Sequence, residues 1–164
     1  MKTLTSVALA AALLTLPAWA EAAVEVSFTD ATKFTDAFPR GFRNPKDRDQ
    51  TLLTLKAYME REAQRHLAAG QDLKIEISDV DLAGRTYNFF NPNDIRLMTG
   101  IDSPALVLRY TLSEYGRTLA SAEERIVDMN YQMSVNAYAV SDPLRYEKGM
   151  VRGWLNKRFG KRAD

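Results

Sequence analysis

Residues 104–129 read PALVLRYTLSEYGRTLASAEERIVDM, and the fold turns on how this stretch is read. Leu106, Leu108, Tyr110 and Leu112 alternate with Val107, Arg109 and Thr111, the period of two expected of a strand with one buried face. Ser113-Glu114-Tyr115-Gly116 is turn chemistry, and residues 118–129 return as the second arm of a hairpin.

The same period appears twice upstream. Leu73, Ile75 and Ile77 alternate with Lys74, Glu76 and Ser78, and that strand is expected to end at Asp79-Val80-Asp81-Leu82-Ala83-Gly84. Val24, Val26 and Phe28 alternate with Glu25, Ser27 and Thr29. Between these two strands, Leu52, Leu55, Met59, Ala63 and Leu67 recur at intervals of three and four, with Gly70 beyond them as a stop. This spacing predicts an amphipathic helix over about residues 49–69. Residues 31–49 read as a long connection pinned by Phe34, Phe38 and Phe42. At the other end, Ser141 or Asp142 is a candidate cap for a helix with Pro143 in its first turn, ending near Gly160. Its apolar positions are Leu144, Met150, Val151, Trp154 and Leu155. The expected order is therefore β-α-β-β-β-α. Polar residues occupy the second face of the strands, so the expected class is α+β, a two-layer sandwich with both helices on one face of a four-stranded sheet.

Residues 1–20 follow a different grammar. Lys2 precedes an apolar run from Leu4 to Leu16, then Pro17 and Ala18-Trp19-Ala20 place small residues at the −3 and −1 positions of a secretory cleavage site. Cleavage is expected after Ala20, with Ala22 and Ala23 as alternatives. The apolar run falls short of the roughly 20 residues a spanning helix needs. The sequence has no cysteine, so no lipid-bearing cysteine follows the cut, and no twin arginine precedes the apolar run. These features predict Sec export to the periplasm without a stable membrane anchor. Removing 20 of the 164 residues leaves 144, the common size of one domain, expected over residues 21–164. Without Lys2, 21 basic residues face 21 acidic ones, and a neutral chain lacks the basic excess of a nucleic-acid binder.

Val24-Glu25-Val26-Ser27-Phe28, Asp79-Val80-Asp81-Leu82-Ala83-Gly84, Asp94-Ile95-Arg96, Val127-Asp128-Met129-Asn130-Tyr131 and Tyr146-Glu147-Lys148 with Trp154 together resemble a secreted bacterial family described only as a domain of unknown function, number three thousand and sixteen. The resemblance runs in the same order over nearly the whole chain after residue 20. Ala105 follows Pro104 where an arginine is usual in that family. The resemblance implies an exported, one-domain protein and carries over no catalytic residue.

Chemistry-bearing patterns are sparse. His66 is the only histidine, and zinc or copper sites want several His or Cys ligands, so no metal and no other cofactor is expected. A Ser-His-Asp triad has only this one histidine to build on, and no Gly-x-Ser-x-Gly turn is present. Glu123, Glu124 and Asp128, or Asp79 and Asp81, are candidate carboxylate pairs for glycosidase-type chemistry. The plainer reading makes Asp79 and Asp81 organisers of a turn.

Residues 85–103 form a long connection with Tyr87, Phe89, Phe90, Asn91-Pro92-Asn93 and Arg96, able to stack on a sugar or grip an anionic group. Rings folded back over the sheet edge, or a short helix opening at Pro92, are the alternatives. Tyr87, Phe89, Phe90, Arg96, Asp81 and Asp128 are the binding candidates. Gly149 and Gly153, poor helix formers, suggest close approach of the last helix to the sheet or to another chain. The basic tail, from Arg152 to Arg162, suits weak attraction to anionic envelope polymers. The leading expectation is a non-enzymatic module binding an envelope protein or polymer. A carboxylate-dependent hydrolase of envelope polysaccharide or peptide is the rival, and a structural or stress-related protein the third. Nothing in the sequence sets an oligomeric state.

Overall fold

The computed structural model describes residues 22–40, 43–86 and 96–160. Alternation builds β1 (Ala23–Phe28), which is followed by a 3-10 turn at Ala31–Lys33 and by α1 (Pro45–Gln64). β2 (Gln71–Asp81) comes next, then the short β3 (Arg85–Thr86) and β4 (Arg96–Leu97), the hairpin arms β5 (Ala105–Glu114) and β6 (Arg117–Val127), and α2 (Arg145–Phe159). The architecture is α+β, with a four-stranded mixed sheet in the order β1-β2-β5-β6 and a separate two-stranded ladder of β3 and β4. β1 pairs parallel to β2, and the remaining pairings are antiparallel.

The register follows the apolar pattern. Val26 lies opposite Ile75, Ile75 opposite Tyr110 and Tyr110 opposite Ala122, so the inward set of each strand meets the next. The β5–β6 turn consists of Tyr115 and Gly116, both at positive φ (48° and 79°), the two-residue form whose twist matches a hairpin. Leu52, Leu55 and Met59 of α1 and Met150, Val151 and Leu155 of α2 join the inward strand residues in one continuous core. Tyr110, Trp154 and Phe159 meet edge to face at its β6 side.

Several boundaries differ from those expected. α1 starts earlier, at Pro45, because Asn44 caps it through Lys46 N–H, and it stops at Gln64 before Leu67. β2 runs through Asp79 to Asp81, passing a bulge between Ile77 and Asp79, so these aspartates lie in a strand. α2 begins at Arg145 with no side-chain cap, Asp142 instead accepting from Leu144 N–H, and Pro143 precedes the helix. The six-element order is also interrupted by the β3–β4 ladder, inside the stretch read as irregular.

Candidate functional site

β2, β5 and β6 finish level with one another, Asp81 opposite Ala105 and Ala105 opposite Val127. Arg96 and Asp128 lie in the segments that leave this end of the sheet, and Asp81 closes β2. Tyr87, Phe89 and Phe90 lie outside the described residues.

Arg96 sits at the centre of this end. Its Nε donates to Ala83 O (2.6 Å), its Nη1 to Phe38 O (2.8 Å), and its Nη2 reaches Leu82 O (2.7 Å), Gly84 O (2.8 Å) and Asp36 Oδ2 (2.9 Å). The side chain is only 8% exposed, so the guanidinium fork is taken up by the protein's own backbone. Asp36 completes the clamp: it pairs as a parallel bridge with Asp81, and its backbone bonds Val80 O and Leu82 N–H. Gly84 turns the chain at φ 72°, where a Cβ would fall 2.2 Å from Leu97 O.

Glu147, from the first turn of α2, is buried against the same loop. Its Oε1 accepts from Ala83 N–H at 2.7 Å, and its Oε2 finds no hydrogen-bond partner among the described residues. Burial drives this carboxyl above the ordinary glutamate value, only partly opposed by the Ala83 N–H. Ala83 is therefore held by Glu147 at its N–H and by Arg96 at its carbonyl. Burial, and then the Asp36 carboxyl, likewise push Asp81 above the ordinary aspartate value.

The other candidate carboxylates are each engaged by neighbouring donors. Glu123 and Glu124 are successive strand residues and point to opposite faces. Glu123 pairs with Arg109 (2.9 Å), and Glu124 accepts from Trp154 Nε1 (3.0 Å) and from Arg158. Asp79 accepts from the N–H and hydroxyl of Thr35 at 2.6 and 2.7 Å. Asp128 accepts from Asn130 N–H and starts the turn after β6. No group of three or more His, Cys, Asp and Glu suited to a metal ion occurs among the described residues.

Around this polar centre two segments are tied together and expose large apolar side chains among polar ones. Tyr131 donates its hydroxyl to Thr99 O (2.5 Å), and Asp128 N–H donates to Pro104 O, which ties the two segments together. Leu97, Met98, Ile101, Met129, Met133 and Val135 are exposed on these tied segments. Residues 128–144 contain no helix or strand, yet Asn136 bonds Arg145 O and Tyr138 meets Tyr58 edge to face. Because this segment lacks periodicity, its sequence yields only Asp128 as a site candidate; Tyr131, Asn136 and Tyr138, set among small polar residues, are the signal for the rest. Neither Glu147 nor Asp36 stands out from the sequence as a site residue.

A groove of about 390 Å³ runs between β6 and α2, over Ile126, Met150 and Trp154. A second, of about 400 Å³, continues across α2 toward Tyr131 and Asn136, and the two share Asp128, Gly149 and Gly153. The glycines do not bring α2 close to the sheet: a Cβ on Gly153 would meet nothing within 4 Å, and one on Gly149 only Asn136, at 3.5 Å. What they do is leave the groove open.

Residues 22–157 match the family described as Protein of unknown function (DUF3016). The chain is a DUF3016 protein. No curated protein matches it. Among solved structures, this DUF3016 chain is similar to protein XCC0632 from Xanthomonas campestris, of family DUF330, at 11% identity over 88% of this chain and 86% of that one, with a TM-score of 0.38. No described helix of the DUF3016 chain is long and apolar enough to cross a membrane.

Proposed function

We propose that this DUF3016 protein is a non-enzymatic binding module of the bacterial envelope, exported to the periplasm and engaging a partner protein through the loop end of its sheet. The observation that carries this reading is the set of exposed apolar side chains, Leu97, Met98, Ile101, Met129, Met133 and Val135, on two segments fixed to each other by Tyr131 and Asp128. Apolar groups held at the surface on an ordered scaffold mark interaction sites. Tyr87, Phe89 and Phe90 belong, by chain order, to the connection between β3 and β4. The export reading draws support from the family match beginning at residue 22, just after the signal-like segment. The shared core of α1 and α2 supports the two-layer arrangement with both helices on one face, the polar residues Lys74, Glu76, Arg109 and Glu123 lining the other.

The test is photo-cross-linking in intact cells from Ile101 and Met133, followed by mass spectrometry of the adducts. A discrete protein adduct from both positions, with none from Lys74, is expected; absence of any adduct overturns the reading. Carboxylate-dependent hydrolysis is favoured by one observation, the elevated Asp81 carboxyl beside Asp36. Asp36 is nonetheless bound to Arg96 and to Phe38 N–H, and a knockout phenotype complemented in full by Asp81→Asn would remove the enzymatic reading.

A further inference from the structure

Among the described residues β6 is an edge strand paired only with β5, and the groove beside α2 runs along its unpaired side. Residues 124–128 line that groove consecutively. Successive strand residues point to opposite faces, so four in a row, Glu124 to Val127, facing one groove means that the groove opens onto the strand's edge, with its main-chain donors and acceptors. The register against β5 is regular from Ala120 to Val127, the bulge lying nearer the turn, so this half of the edge is straight. The opposite wall is one stripe of α2, Gly149, Gly153 and Lys157 with Met150 and Trp154 beside them.

The charges are unbalanced. Glu124 is taken up by Trp154 and Arg158, and Asp128 by its own turn. Arg125 and Lys157 have no carboxylate within ion-pair distance among the described residues. An occupant must therefore offer main-chain pairing, small apolar side chains for the floor over Ile126 and Trp154, and negative charge for the rim.

We infer that β6 and α2 form a strand-addition site for an extended, acidic segment of another protein, which pairs with the β6 edge over residues 124–127 and sets alternate side chains in the glycine-opened groove. This inference rests on the binding-module reading and adds a site and a partner chemistry to it. Strand addition of this kind takes affinity from the backbone and selectivity from the groove. A second copy of this chain fits poorly, because a two-fold contact would set Arg125 and Lys157 against their own equivalents.

The probes are two short, end-blocked synthetic peptides, one alternating valine with glutamate and the other valine with lysine, titrated into isotope-labelled protein. The glutamate peptide should shift the backbone amides of residues 124–128 and the Trp154 indole N–H, which faces Glu124. The lysine peptide should bind at least about tenfold more weakly. Gly153→Leu, which has space for its Cβ, should abolish the shifts, and Arg125→Glu with Lys157→Glu should reverse the peptide preference. The double variant keeps the test alive if the leucine variant misfolds. Equal binding of both peptides, no shifts with either, shifts that persist in Gly153→Leu, or self-association through β6 overturns the inference. If the cell cross-links appear and the peptides fail, only this site falls; if no partner is captured, the binding-module reading falls with it.

Discussion

The loop end of the sheet and the flank between β6 and α2 both hold arginines, carboxylates and glycines, yet use them in opposite ways. At the loop end, Arg96 is buried on three backbone carbonyls of residues 82–84, and Gly84 lies against Leu97 O. On the flank, Arg125 and Lys157 face solvent and Gly153 has open space above it. The same residue types build the scaffold in one place and leave a surface open in the other. Burial decides which: a desolvated charge must be fully paired, whereas an exposed one is left available.

Replacing Arg96 by alanine should break the first region most severely. It leaves carbonyls of residues 82–84 without their buried donor, and a loss of about 3–5 kcal/mol is expected in urea unfolding. Arg96→Lys should recover only part of this, since an ammonium lacks the fork that spans several acceptors. A loss indistinguishable from that of a surface substitution would show that the clamp holds nothing.

Glu147→Gln comes next, and its effect depends on pH. The folded-state carboxyl is raised, so between the ordinary glutamate value and the raised one the folded protein holds a proton that the unfolded chain has released. Stability should therefore fall as pH rises through that window and be unaffected by this group below it. The glutamine variant, which keeps an acceptor for Ala83 N–H and stays neutral, should lack this decline; thermal unfolding across the acid-to-neutral range reads the difference.

Much of the sheet was legible because alternation is a local signal: Leu73, Ile75 and Ile77 point inward as their spacing requires. The Arg96 clamp was not, since its partners, Phe38, Asp36 and residues 82–84, come from distant parts of the chain and are mostly backbone carbonyls that sequence does not distinguish. For the same reason the sequence alone makes Arg96 a grip for a ligand. Glycine in a helix commonly permits close approach, which is what the sequence suggests for Gly149 and Gly153, whereas the space above them is groove.

Smaller effects sharpen the second region. Gly153→Ala should stabilise the protein by up to about 1 kcal/mol, since alanine is the better helix former and its Cβ meets no neighbour; guanidinium unfolding checks this. Arg125→Ala should change stability by no more than about 0.5 kcal/mol while weakening acidic-peptide binding, because the residue is exposed and unpaired among the described residues.

Hydrogen exchange on the protein, alone and with the partner recovered by cross-linking, tests the account most directly. Slower exchange is predicted over residues 97–101 and 128–135 and along the β6 edge at residues 124–127, with residues 82–84 already protected in the free protein. Protection appearing instead along β1, the other edge of the sheet, with the loop end unchanged, would contradict it.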